Sequence, residues 1–380
     1  MTKVNYYIDL ALKTFQNIGG PMLNDEQRAH FIFALSDTYE TLGNYEAALK
    51  NYTTALELST ASKDQAMQGQ IQYRMARIYY ETGDWQKAQD LFNESITRLQ
   101  TVNNYSETAL AQIELAKIAY RKGKYSQAMN TFQLALETAE RVSDTRSKAI
   151  INNSLGIIRR MEGNYELAYE LFQEALIEFQ RIQDFRGTAE SLNNLGMVHL
   201  WRQELQKAIE YFEKSLQICQ EIGHFPLLAF VYLNKTEFYC MVADYSMAAN
   251  MCSQALEYLV RLKNPIGIAK TNMLLGRIFW KSGDLQTAKD FYEESIGLYK
   301  QYGIPLGLAN CYREFSQMLQ ESGSTEESAH FCARAQEIFN DLSIQMRVEK
   351  KQNNTKTIEE VKRRTQLESA AQVVSQRAEV

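Results

Sequence analysis

The chain has 380 residues, of which 45% are hydrophobic and only 4 are proline, and it carries a net charge of −5. This composition excludes low-complexity and collagen-like polymers, and the mildly acidic balance argues against a nucleic-acid binder. No stretch approaches the ~18 uninterrupted apolar residues of a membrane span, and five cysteines without a CxxC pair give neither a disulfide framework nor metal-ligand spacing.

In chain order, residues 3–18 predict a lone amphipathic helix closed by Gly19-Gly20-Pro21. It lacks the apolar stretch and cleavage site of a secretory signal. Together with the unpaired thiols, this places the protein in a reducing cytoplasm. Residues 1–27 are therefore expected to cap the first face of a repeat array that begins at residue 28.

From residue 28 to residue 342 a forty-residue period runs without a gap. Gly43, Gly83, Gly123 and Gly163 stand forty apart, and each is followed two residues later by Tyr45, Trp85, Tyr125 or Tyr165. The series continues through Gln203, Ala243, Gly283 and Gly323, which makes eight units. A fixed period of this length predicts a stack of identical supersecondary units. Each unit reads as two helices with the glycine ending the first, because the residue after a helix commonly needs positive φ.

Five residues after that glycine stands alanine in seven units, from Ala48 to Ala288, and Ser328 in the eighth. Four further on is a ring in six units: Tyr52, Phe92, Phe132, Phe172, Phe212 and Tyr292. Three further on is always alanine or serine, as in Ala55 and Ser95. This spacing lays small, large and small residues along one helical face. The first helix has its own small position seven before the turn: Ser36, Ala76, Ala116, Gly156, Gly196, Thr236, Gly276 and Ser316. Cys252 and Cys332 fall at the ring position and are expected to be small buried apolar residues. Asp144, Asp184 and Asn264 read as N-caps, and Pro265 and Pro305 as first helical residues.

This set of positions resembles the tetratricopeptide repeat (TPR), in units of 40 residues where ~34 is usual. The six extra residues add ~9 Å of helix. Long units of this kind are similar to those of spindle-orientation adaptors, kinesin light chains and bacterial peptide sensors, and Asn193-Asn194-Leu195-Gly196 is similar to the Asn-Leu-Gly motif common there. The resemblance implies an all-α, right-handed superhelix whose first helices line a concave groove that accepts a peptide.

Spacing of i, i+4, i+7 along the first helices assigns Tyr73, Arg77 and Tyr80 to that groove, then Lys117 and Tyr120, Asn153 and Arg160, and Asn193 and Met197. Further along it assigns Glu237, Arg277 and Trp280. Adjacent positions add Arg121, Asn194, Trp201 and Asn234. Asparagine offers both a donor and an acceptor, so Asn153 and Asn193 suit the backbone of an extended peptide, or else bond only within the stack. Arg77, Lys117, Arg121 and Arg160 suit a partner with acidic residues or a free C-terminal carboxylate, or else form a solvated charged face. Trp201 and Trp280 are either apolar anchors or packing between units.

Residues 343–380 hold eight basic and five acidic residues and no aromatic ring, and they read as a helix or a charged tail. No HExxH, P-loop, GxSxG or GxGxxG motif occurs, so no catalytic, cofactor or metal site is expected. The function expected is a non-catalytic adaptor binding a protein or peptide segment. The alternative is a peptide-responsive sensor, or the TPR portion of a signalling system.

Overall fold

The structure is a computed structural model that describes residues 23–353, with side chains through Leu342. The expected capping helix at 3–18 and the segment from residue 354 onward lie outside the described residues. Among those described there are sixteen helices and no strand, arranged as eight antiparallel pairs. In chain order they are α1 (Asp25–Thr41), α2 (Tyr45–Ala61), α3 (Gln65–Glu81), α4 (Trp85–Thr101), α5 (Tyr105–Arg121), α6 (Tyr125–Glu140), α7 (Thr145–Met161) and α8 (Tyr165–Arg181). The second half comprises α9 (Phe185–Trp201), α10 (Leu205–Glu221), α11 (Phe225–Met241), α12 (Tyr245–Arg261), α13 (Pro265–Lys281), α14 (Leu285–Gln301), α15 (Pro305–Glu321) and α16 (Thr325–Asn353).

Nearly every helix has 17 residues, and nearly every link has three. One link serves two helices. At Leu42-Gly43-Asn44, Gly43 N donates to Glu40 O and Asn44 N to Tyr39 O, which satisfies the last carbonyls of α1. The Asn44 side chain then accepts from Ala47 N and starts α2. The same hydrogen bonds recur at the junctions between units, where Lys63, Asn103, Ser143, Gln183 and Lys263 adopt positive φ. The backbone period is therefore 20, and the sequence shows only 40 because most junctions do without glycine. Asp144, Asp184 and Asn264 each cap a helix as expected, and Pro265 and Pro305 open α13 and α15.

The small-large-small face forms the core. The alanines from Ala48 to Ala288 are fully buried, as are Tyr52, Phe92, Phe172, Phe212 and Tyr292. A Cβ on Gly196 would sit 2.6 Å from the Phe212 ring, and one on Gly156 would sit 2.6 Å from Phe172. The first helix is small there because the ring of its partner lies against its backbone. Where the second small position is serine, its hydroxyl bridges to the first helix: Ser95 Oγ donates to Gly69 O at 2.7 Å and Ser215 Oγ to Ala189 O at 2.7 Å.

Cys252 is buried as expected, but Cys332 is exposed, which corrects the expectation for it. In the last unit the ring is supplied one position earlier, by Phe331, which packs against Phe315 at 4.8 Å between centroids. Cys332 thus lies on the face of α16 that the other described residues leave exposed. α16 also runs eleven residues past the expected end of the repeats at Leu342.

The superhelix closes on itself. Ideal Cβ positions at Gly43, Gly83 and Gly123 would lie 2.5 Å from Leu262, 2.6 Å from Tyr302 and 2.9 Å from Leu342. Each partner is 219 residues further on, or five and a half units. Pro265 and Pro305 flank the same turns, and Asn264 Nδ2 donates to Glu81 Oε2 at 3.1 Å. The cores of units 2 and 3 merge with those of units 7 and 8: Tyr80, Trp85 and Ile118 share one cluster with Trp280, Tyr299 and Phe315. Gln203 and Ala243 replace glycine only in turns that this seam does not cover, where positive φ is the sole demand.

Candidate functional site: a cavity on the concave face

Closing the seam turns the concave face into a cavity of about 410 Å³. Its walls are the first helices of units 2 to 6, with Phe132 of α6 added. Nine of the sixteen groove residues read from the sequence meet there: Arg77, Tyr80, Lys117, Tyr120, Arg121, Arg160, Asn193, Asn194 and Asn234. Ile157, Ile158, Leu227 and Phe230 supply apolar wall.

The other seven lie elsewhere. Met197 is buried in the core beside Phe212 and Phe238, a correction that reflects the close packing around Gly196. Asn153 is buried between units 4 and 5, where its Oδ1 accepts from Asn194, and Tyr73 packs on Phe92. Trp201 is 46% exposed and does not line the cavity. Glu237 pairs with Lys270 at 2.8 Å. Arg277 pairs with Glu314, and Trp280 donates Nε1 to Glu321 at 3.1 Å, both at a shallow surface depression in units 7 and 8. The groove is interrupted there because these units dock onto units 2 and 3.

The asparagines form a ladder across units. Asn194 Nδ2 donates to Asn153 Oδ1 at 3.3 Å, and Asn234 Nδ2 donates to Asn193 Oδ1 at 3.0 Å. These bonds hold neighbouring units in register, as in the within-stack alternative read from the sequence. One end of the amide array is tied into the stack, while Asn193, Asn194 and Asn234 still face the cavity.

The charges are crowded. Arg77 pairs with Glu40 at 3.3 Å and Lys117 with Glu114 at 3.1 Å, while the Arg121 guanidinium lies 4.8 Å over the Tyr80 ring. Burial raises the Glu81 carboxyl above its usual range against the pull of Arg121 and Arg77. Burial acts likewise on Glu114, but Lys117 and Arg77 outweigh it and hold that carboxyl below the usual range.

Two cations stand apart from these pairs. Burial lowers the Arg160 guanidinium, and its Nε has no hydrogen-bond partner. Burial and the like charge of Arg77 lower Arg186. Neither makes an ion pair among the described residues, although Glu190 and Glu237 offset part of their charge from further away.

Models of the tetratricopeptide repeat match residues 25–101, 107–177 and 187–259, and a second such model matches residues 269–302. The chain belongs to the tetratricopeptide repeat family. No curated protein matches the sequence significantly. Among solved structures this TPR protein resembles a Rap protein complexed with competence and sporulation factor, at 15% identity and TM-score 0.57, covering 84% of this chain and 99% of that one. It also resembles the Rap conjugation gene regulator of plasmid pLS20 in complex with the Phr* peptide, at 18% identity and TM-score 0.60, covering 72% and 74%. A third is aspartyl phosphate phosphatase F from Bacillus subtilis, at 15% identity and TM-score 0.52, covering 76% and 75%. At these identities the likeness establishes the fold. No helix among the described residues is long and apolar enough to cross a membrane.

The TPR groove reading missed Arg186, Glu190 and His224. The first two sit seven and three residues before Asn193, so extending the same helical stripe toward the start of α9 finds them. The stripe begins too late because the cavity runs obliquely, from the ends of α3 and α5 to the starts of α9 and α11. His224 is the N-cap of α11, where it accepts from Leu227 N at 3.2 Å. Burial, helped by Arg186 and Arg77, pushes it down to about 3.

Between about 6.5 and 3 the unfolded chain therefore binds a proton at His224 that the native chain refuses, and stability falls as pH drops through that window. His224→Asn, which caps without titrating, is expected to hold on the order of 2 kcal/mol more stability than wild type at pH 4.5 relative to pH 7.5. Urea unfolding at the two pH values checks this, and equal acid losses in both proteins would refute it. Away from the cavity, Glu26, His30 and Asp64 bring ligand atoms within 4.8 Å of one another, but Glu26 and His30 are exposed and Asp64 already caps α3.

Proposed function

We propose that this TPR protein is a non-catalytic cytoplasmic adaptor that takes a short acidic peptide segment, or a chain end with its free carboxylate, into the cavity of the concave face. The observation that carries this reading is the pair of guanidiniums, Arg160 and Arg186, that line the cavity without an ion pair among the described residues. A half-buried cation without an ion pair gains from a counter-charge, and a carboxylate in bidentate contact supplies one. The cavity volume is that of a small-ligand site, which suits a few residues of a chain better than a long helix. Asn193, Asn194 and Asn234 are placed to bond such a segment's backbone.

A ligand-responsive sensor is the second reading. It is favoured by the cavity's being walled by units 2 to 6, so that a bound ligand would touch five units at once, and by two structural neighbours whose structures hold a Phr* peptide and competence and sporulation factor.

Calorimetric titration of four- and five-residue peptides tests the proposal, comparing acidic with neutral sequences and free with amidated C-termini. Acidic or free-carboxylate peptides are expected to bind, and Arg160→Gln or Arg186→Gln to weaken them ~10- to 100-fold, the worth of one charge-assisted contact. Binding that ignores both substitutions, or none by any peptide, would overturn it. For the sensor reading, the bound peptide should also change the radius of gyration.

A further inference from the structure

The seam that closes the molecule uses only part of a repeated pattern. In units 1 to 3 the turn between paired helices is covered by Leu262 and Tyr302 from the junctions of later units and by Leu342 at the equivalent position within α16. The covering residue recurs every forty positions. Val102, Val142, Ile182 and Ile222 stand earlier in the chain where Leu262 and Tyr302 stand later. The covered turn recurs too, at Gly163, Gln203, Ala243, Gly283 and Gly323. Among the described residues nothing lies within 4 Å of a Cβ built on Gly163, Gly283 or Gly323. One edge of the superhelix thus presents unused covering side chains, and the opposite edge presents unused turns.

The exposed apolar residues gather at those edges. Eleven large apolar side chains are exposed among the described residues, and single ones are ordinary on a protein surface. Eight of the eleven stand at the two edges: Val102, Val142 and Phe185 on the first, and Met161, Trp201, Met241, Val242 and Leu285 on the second. Where the same positions meet inside the chain they are buried, with Leu262 2% and Leu342 5% exposed against 41% for Val102 and 43% for Val142.

We propose that a second copy of this chain covers this surface, setting its Val102–Ile222 edge on the edge of open turns from Gln203 to Gly323 of the first. The contact repeats between molecules what already closes each molecule. Carrying the forty-residue phase forward places Val102 of the second copy over the Gln203 turn and Val142 over the Ala243 turn. Two different edges meet, so the association is head-to-tail and each added copy leaves one edge of each kind free. Its core is apolar, so salt does not weaken it.

Sedimentation velocity on the full chain tests this from about 1 to about 100 µM, the range in which modest interfaces assemble. The mean mass is expected to rise with concentration and to hold at high salt. Val102→Asp/Val142→Asp is expected to remain monomeric with an unchanged melting temperature, since both side chains are exposed. A register test uses two single variants in a Cys332→Ser background, Val142→Cys and Ala243→Cys. Oxidising them together is expected to give a linked dimer that neither gives alone. A constant monomer mass would overturn the proposal and leave these edges to water or to residues of the same chain outside 23–353. Self-association undiminished in the aspartate variant, or no linked dimer from the mixture, would also overturn it and move the contact between copies elsewhere.

Discussion

Replacing Leu262 and Leu342 by aspartate is expected to open the superhelix while leaving its units helical. Both side chains are buried, against the turns at Gly43 and Gly123. Burying one leucine side chain is worth ~1.5–3 kcal/mol, so the pair removes ~3–6 kcal/mol from the seam before any cost of burying a new charge is added. The units themselves are held by neighbour-to-neighbour packing and do not depend on contacts 219 residues away. The radius of gyration in solution scattering should therefore increase, and the far-ultraviolet circular dichroism should stay near that of wild type. Peptide affinity should fall too, because the cavity walls contributed by units 2 and 3 are braced by units 7 and 8. An unchanged radius of gyration in the double variant would mean that the merged core around Tyr80, Trp280 and Phe315 holds the two turns together by itself.

The seam also marks the boundary of what is legible in the sequence. Contacts within and between adjacent units depend on residues that recur at a fixed spacing. The helix pairing, the small-large-small face, the caps at Asp144, Asp184 and Asn264 and the family all come from that spacing. The seam depends on small rotations between units summed over five and a half of them, and no single unit encodes that sum. One trace of it is nonetheless present. Glycine stands at all three turns on which a later unit presses, in units 1 to 3, and of the five open turns two carry Gln203 and Ala243 in its place. The candidate site is legible to the same degree. The stripe through Arg77, Lys117 and Asn193 tracks one helix face, and the spacing finds it. Arg277 and Trp280 lie on that face too, but there they bond to Glu314 and Glu321 of the adjacent unit. Cys332 escapes the pattern because the end of a stack breaks the equivalence on which every periodic argument rests.

Phe212→Ala is expected to cost ~3–5 kcal/mol, the usual loss for truncating a fully buried ring. Phe212 has no solvent exposure and lies against the backbone of Gly196, on the helix that carries Asn193 and Asn194. The reverse change tests the same contact from the other side. Gly196→Ala gains ~1 kcal/mol of helix propensity, but its Cβ meets the ring at 2.6 Å, and overpacking of this kind costs ~1–3 kcal/mol. Combining Gly196→Ala with Phe212→Leu should recover part of both losses, because the smaller side chain frees the space that the new methyl needs. That coupling appears as non-additivity in a double-mutant cycle measured by urea unfolding. Strictly additive losses would separate the two residues and remove the packing reason for glycine at this position. The effect on the cavity comes from the place of unit 5 in the stack. α9 packs against both α8 and α10, and its asparagines bond to units 4 and 6. Loosening it interrupts the stack at its middle, so hydrogen exchange in Phe212→Ala should rise first in α9 and α10 and then split protection into two blocks. Peptide binding should fall with it, since Arg160 lies on one side of that break and Asn234 on the other.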